Sequence, residues 1–152
     1  MYCNNKFYNT KECITFQDIR EVEKKYQFTF PEEIRRHYLA FNGGKPKRCI
    51  FKDDESEYLV QKFFPIKFHN KNTGGTLESV IGMLKVTDKI LPDWLIPLGV
   101  DPGGNLFCFS VKEGEEGAIY FWYHEYECGE DPEDHICFLA DSLKSFVEGM
   151  AE

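Results

Sequence analysis

The stretch Leu98–Ser110, LGVDPGGNLFCFS, sets a Pro-Gly-Gly-Asn run between two apolar segments. A phosphate-binding loop would lead its glycines into a helix N-terminus and follow them with a lysine. Here Asn105-Leu106-Phe107-Cys108-Phe109 follows, which is strand-like, with no lysine after the glycines and with Asp101 placed to repel a phosphate. The glycines therefore read as positive-φ residues of a turn between two antiparallel strands. That reading organises the second half of the chain. Leu95–Val100, Asn105–Val111 and Ala118–Glu125 become consecutive antiparallel strands, turned by DPGG and KEGEEG.

Helices are expected on either side of the strands. Thr15 followed by Asp18 fits a capping box, and Phe16, Ile19, Val22 and Tyr26 follow at helical spacing. A second helix is expected with Pro31 at its first position and Glu32 and Glu33 at the positive end of its dipole. Its apolar stripe is Ile34, Tyr38 and Phe41, and Asn42-Gly43-Gly44 would close it on a left-handed cap, with Pro46 beyond. Arg48–Phe51 and Tyr58–Pro65 read as strands about an acidic turn, DDESE. His69–Gly75 reads as a polar loop. Thr76 caps a helix bearing Leu77, Val80, Ile81 and Leu84. After a short strand, Ile136–Ala140, either Asp141 or Ser142 caps a last helix bearing Leu143, Phe146, Val147 and Met150. The expectation is one α+β domain over residues 1–152, with 1–14 as a lead-in. About four helices would flank a mainly antiparallel sheet, a mixed sheet being the alternative.

Composition agrees with a packed domain. At 152 residues the chain can bury roughly 70% of its unfolded surface. Fourteen Phe and eight Tyr favour sheet over helix bundle. The N-terminus, MYCNNKFYNTKEC, has no apolar core of a signal peptide, and no apolar run approaches the ~18 residues of a membrane span. A cytoplasmic protein is expected, with Cys3, Cys13, Cys49, Cys108, Cys128 and Cys137 as reduced thiols.

Charge is uneven along the chain. Residues 1–52 carry eleven Lys/Arg and six Asp/Glu; residues 53–152 carry seven and twenty, giving a total of −8. From Glu113 to Asp134 there are nine acidic residues and no Lys or Arg. Such a field repels nucleic acid and anionic lipid and attracts a basic partner. A solvated acidic face that keeps the protein dispersed is the plainer reading.

Four blocks, in order, resemble a known superfamily. FPEEIRRHYLAFNGGKP (30–46) is similar to the "Pro-Glu-Asp … Asn-Gly-Gly-x-Pro" helix of the SUKH superfamily, which includes the Smi/Knr-type cell-wall assembly regulators. IPLGVDPGGNLFCFSV (96–111) resembles its "Ile-Pro-x-Gly-x-Asp-x-Gly-Gly-Asn" strand-turn-strand. GAIYFWYHE (117–125) resembles its "Gly-x-Val-Tyr-Phe-Trp-Asp-His-Glu", with Tyr123 in the Asp position, and FLADSLKSFVEGM (138–150) resembles its C-terminal helix. The resemblance implies an α+β fold with no enzymatic activity and no cofactor. Bacterial members are mostly immunity proteins that bind and neutralise polymorphic or contact-dependent toxins, frequently nucleases. Fungal members are regulatory scaffolds of cell-wall synthesis, the alternative function for this chain.

Catalytic and metal readings are weaker on the residues. His124, Cys128, His135 and Cys137 are zinc-ligand types, but His-x3-Cys-x6-His-x-Cys matches no common zinc motif. Cys108 lies in a strand segment and reads as core. Cys49 after Lys47-Arg48 would need a converging base to act as a nucleophile. Asp53-Asp54, Glu115-Glu116 and Asp131 with Asp134 lack the apolar cradle that acid–base catalysis needs. Phe63-Phe64 and Tyr120–Tyr123 lack interleaved Lys or Arg and read as sheet, with Trp122 half-buried. The expected partner is a cognate protein toxin with a basic nuclease domain, met by a monomer or weak homodimer. The candidate contacts are Asp53, Asp54, Glu55, Glu57, Glu113, Glu115, Glu116, Glu127, Glu130 and Asp131, with Tyr58, Tyr123 and Tyr126 as aromatic anchors.

Overall fold

Thr15 opens the first helix by local chemistry. Its hydroxyl accepts from Asp18 N at 3.2 Å, and an Asp18 carboxylate oxygen accepts from Thr15 N at 2.8 Å, completing the capping box of α1 (Phe16–Tyr26). The computed structural model describes residues 2–67, 75–87, 90–124 and 135–152. Ile19 and Val22 turn inward on α1, whereas Phe16 is 46% exposed, with the Arg20 and Arg35 guanidinium groups 5.3 and 5.4 Å from its ring. The cation–π contacts hold it on the flank instead of in the buried stripe.

The second helix differs from expectation at both ends. Pro31 is the N-cap of α2 (Glu32–Ala40), not its first helical residue, and Phe41 ends it in extended backbone at φ −138°. No glycine caps it, because the chain leaves directly into a buried anchor. Asn42 is 3% exposed; its Nδ2 donates to Glu12 O and Ile66 O at 2.9 Å each, and its Oδ1 accepts from Ile66 N at 2.7 Å. Gly44 then adopts φ +91°, and a Cβ there would stand 2.5 Å from Tyr8 O. The glycine lets β1 (Phe7–Tyr8) pair antiparallel with β2 (Lys45–Pro46) at close range.

A second hairpin, β3 (Ile50–Lys52) and β4 (Glu57–Leu59), is antiparallel around the acidic turn. The expected Tyr58–Pro65 strand is divided. Its first part is β4, and its second is β5 (Lys62–Phe63), which joins another sheet beyond buried Val60. That sheet runs β5-β6-β7-β8-β9, with β6 (Leu95–Val100), β7 (Leu106–Ser110), β8 (Ile119–Trp122) and β9 (Ile136–Ala140). Every ladder among the described residues is antiparallel, so the mixed alternative falls away. Thr76 caps α3 (Leu77–Ile81), which continues as a π-helical turn over Gly82–Thr87. Ser142, not Asp141, caps α4 (Leu143–Glu148), and Glu33 of α2 accepts from Leu143 N, tying the two helices together.

One face of the large sheet carries the aromatic core. Phe107 meets Phe146 of α4 at 5.5 Å, Phe109 stacks on Phe30 at 5.7 Å, and Phe121 meets Tyr58 of β4 at 4.8 Å. Each fully buried ring of this kind contributes about 1.5–3 kcal/mol through lost apolar surface. Trp122 is 4% exposed, not half-buried, stacked near His135, and its Nε1 has no hydrogen-bond partner among the described residues. The lead-in is woven into this core. Asn5 Nδ2 donates to Arg48 O and Val147 O at 2.8 and 3.0 Å, and Tyr2 OH meets His37 Nδ1 at 2.7 Å.

His37 gives the fold a pH signature. It is fully buried among Phe7, Phe63 and Tyr38, and burial pulls its pKa from 6.5 to about 3. The folded state keeps it neutral, whereas the unfolded chain protonates it below 6.5. Stability is therefore fully present above 6.5 and falls as pH drops toward 3, by about 1.4 kcal/mol per pH unit. Glu78, raised above 4.5 by burial, acts in the opposite sense, and the lowered Asp18 and Asp53 act only below 3.8. Urea midpoints for wild type and His37→Leu between about pH 5 and about pH 7 separate these effects. The wild-type slope should be the steeper; parallel slopes would refute the assignment.

Candidate partner-binding surface

The opening loop is a hairpin end wired to itself. Asp101 Oδ1 accepts from Gly103 N at 2.9 Å and Asn105 N at 2.8 Å, and its Oδ2 accepts from Asn105 Nδ2 at 3.1 Å. Of the two glycines only Gly104 has positive φ, at +91°. Asn105 Oδ1 accepts from His124 N at 3.1 Å, and His124 Nε2 donates to Gly103 O at 2.8 Å. Asp101 thus spends its carboxylate on the turn, and His124 clasps the β6–β7 hairpin to the end of β8.

His135 uses Nδ1 to donate to Tyr123 O at 2.6 Å. Among the described residues no three His, Cys, Asp or Glu side chains converge to hold a metal ion; Cys128 and Asp131 lie outside the described residues. Cys108 is fully buried, and burial pushes its thiol pKa up, so it sits in the core as a protonated thiol. Cys49 is half-buried on the approach to β3.

The acidic residues fall into two separate groups. At the β3–β4 tip, Asp53, Asp54, Glu55 and Glu57 are exposed. Asp53 Oδ1 accepts from Glu55 N and Ser56 N, and these bonds hold its pKa below the ordinary value. Glu57 lies 3.4 Å from Lys52 Nζ across the strands. Tyr58 departs from its expected role as an anchor: it is 6% exposed, and its hydroxyl donates to Asp53 Oδ2 at 3.1 Å and lies 3.7 Å from Cys137 Sγ. Its ring is committed to Phe121. Tyr123 is half-buried, edge-on to Phe121 at 4.8 Å.

Glu113, Glu115 and Glu116 occupy the exposed β7–β8 loop. Glu115 accepts from Tyr120 OH at 3.0 Å and lies 3.7 Å from Lys112 Nζ, and Glu116 accepts from Gly114 N. This loop precedes Ile119, while Tyr58 and Asp53 sit toward the Tyr123 end of β8. The fold therefore places the two acidic groups toward opposite ends of the strand. Tyr126, Glu127, Glu130 and Asp131 lie outside the described residues, as does most of the expected polar loop at 69–75.

A groove of about 750 Å³ adjoins the β7–β8 loop. It lies between the α1–α2 connection, the π-helical turn and that loop, and its lining includes Phe28, Lys85, Asp93, Val111 and Glu116. Only Glu116 among these was a candidate from sequence. The others carry no motif, and their convergence comes from chain segments far apart.

A family model described as the SMI1 / KNR4 family (SUKH-1) matches residues 13–149. No curated protein matches the chain. The match starts just before α1 and ends just after α4, enclosing the Asn42 anchor, the Asp101–Asn105 hairpin end and its His124 clasp, and on that span the chain belongs to the SMI1 / KNR4 family (SUKH-1).

Proposed function

We propose that the protein is an immunity protein, a cytoplasmic binder that neutralises a cognate polymorphic or contact-dependent toxin whose active domain is a basic nuclease. Domains of this family are generally non-enzymatic immunity or regulatory proteins. A nuclease must present a cationic surface to hold phosphates. The observation that best supports an answering surface is the exposure of Asp54, Glu55 and Glu113, whose carboxylates stand outward on two hairpin loops. Glu127, Glu130 and Asp131 belong to the same acidic set by sequence. Complementary charge raises association rates toward roughly 10⁸–10⁹ M⁻¹s⁻¹ at low salt. Tight binding then needs desolvated anchors, for which Tyr123 and Tyr126 are proposed. The protein would act as a monomer or weak homodimer.

Co-expression with the product of the adjacent reading frame, scored by survival and co-purification, tests this. Rescue of a toxic neighbour is the expected outcome. Asp54→Lys/Glu55→Lys reverses one end of the surface and Glu113→Lys the other, without touching carboxylates that wire their own loops. At least one end should slow capture several-fold at low salt with unchanged melting. Unchanged association for both would remove the acidic surface from the mechanism. A non-toxic neighbour that still co-purifies would move the protein to the family's regulatory side.

A further inference from the structure

We propose that the groove beside the β7–β8 loop seats a short basic segment of the partner protein, an Arg or Lys flanked by apolar residues; this rests on the binding role proposed above. The groove's volume, about 750 Å³, falls within the roughly 300–1,000 Å³ typical of formed binding sites. Its walls are built and held. Phe28 sits edge-on to Phe30 at 4.8 Å, and Phe30 stacks on Phe109 of the central strand. The α1–α2 connection is pinned by Glu23, which accepts from Phe30 N at 2.7 Å through its side chain and from Phe28 N at 3.2 Å through its carbonyl. Gln27 turns that connection through a left-handed residue at φ 56°.

Charge selects the occupant. Asp93 and Glu116 are exposed carboxylates in the lining; Glu116 keeps one oxygen on Gly114 N and presents the other. Lys85 is the cation in the lining, and its ammonium donates to Asp93 O at 2.7 Å and Leu95 O at 3.2 Å. Two of its N–H donors are thus held by backbone carbonyls. Desolvation lowers its pKa, against which the nearby Asp93 carboxylate favours its charge, so Glu116 leaves the lining net negative. Lys25 lies over the Tyr26 ring at 5.3 Å, and Lys112 lies over Trp94 and beside Glu115. An arginine or lysine entering the groove can lay its methylene stem on Phe28 and Val111 and bring its charged head to Asp93 and Glu116. The same carboxylates disfavour a phosphate backbone.

The test is a titration of the ¹⁵N-labelled full chain at low salt, followed by amide shifts. The probe is the blocked peptide Gly-Arg-Leu-Arg-Tyr-Gly, and the control has both arginines replaced by glutamates. The largest shifts should fall on Phe28, Val111 and Glu116 with the basic peptide and be absent with the acidic one. Asp93→Lys/Glu116→Gln, which keeps an acceptor oxygen for Gly114 N, should weaken binding on the order of ten-fold, whereas Asp141→Lys/Glu152→Lys, at exposed positions outside the groove lining, should leave it unchanged; dispersed spectra confirm that each variant is folded. No shifts, shifts centred on the β3–β4 tip, or affinity surviving the Asp93→Lys/Glu116→Gln change would each overturn the proposal. Co-purification of the neighbour that ignores Asp93 and Glu116 would leave the binder standing without its groove. Peptide seated in the groove with no binding of the neighbour would leave the groove standing and refute the immunity role.

Discussion

Asn42→Ala is expected to cost about 3–5 kcal/mol of folding stability, because three backbone groups, the two of Ile66 buried and that of Glu12 part-buried, lose their partner together. Glu12 O and Ile66 O accept from its Nδ2, and Ile66 N donates to its Oδ1. These atoms belong to the segments before α1 and after β5, so one carboxamide fastens two connections to the end of α2. Against a total of about 5–15 kcal/mol for an ordinary domain, the variant would be marginal. A fall in melting temperature of about 10 °C and a matching fall in urea midpoint are the readouts. Asn42→Asp provides a contrast. At neutral pH its carboxylate would face two carbonyls, and protonation would restore a donor, so its deficit should shrink on acidification while His37 makes the parent protein less stable. A loss below about 1 kcal/mol for the alanine variant would mean that water replaces the carboxamide.

What could be read in the sequence divides along the range of the interactions. The Thr15–Asp18 capping box and the Asp101–Asn105 turn are closed by residues three and four apart, and both were legible as strings. The strands β6 to β9 were legible because turn residues separate apolar runs. The Asn42 anchor joins residues 24 and 30 positions apart, and a string does not show that; its Asn-Gly-Gly resembled a helix cap, as it would if the helix ended in solvent. Tyr58 and Trp122 were expected to meet solvent, yet other elements cover them: Tyr58 turns onto Phe121, and Trp122 stacks near His135. Charge was legible as a quantity, but its placement on two ends of β8 depends on the register Cys108↔Tyr120 and its neighbours.

The same division separates the family's markers from the binding surface. Asp101, Asn105, His124, Asn42 and Gly44 are spent on holding hairpin ends and connections together. They specify a scaffold and leave its outer loops free to vary in chemistry. The residues that would choose a partner, Asp93, Val111, Glu113 and Glu116, stand on loops between those fixed points. A scaffold rigid at the hairpin ends and chemically open on the loops can meet different partners with one fold.

Phe109→Ala should be the most costly change of a single core ring, about 3–5 kcal/mol, since the ring is fully buried on the central strand and its loss leaves a cavity. Its neighbours are Phe30 at 5.7 Å and Phe28 at 6.4 Å, so the cavity would open directly behind the groove wall. Phe28 is half-buried and rests on that wall. Two consequences follow from one substitution: a large stability loss, and a weaker hold on the basic peptide although Phe109 does not line the groove. Phe109→Leu keeps most of the volume and should lose only about 1–2 kcal/mol, with peptide affinity nearly retained. Phe28→Ala should show the reverse balance, a small stability loss with a several-fold loss of affinity, because its ring contributes more to the groove than to the core. Measuring urea midpoint and peptide affinity for the three variants separates support from contact. If Phe109→Ala destabilised the fold yet left affinity intact, Phe28 would hold its place without the stack behind it, and the groove wall would owe its shape to the Glu23-pinned connection instead.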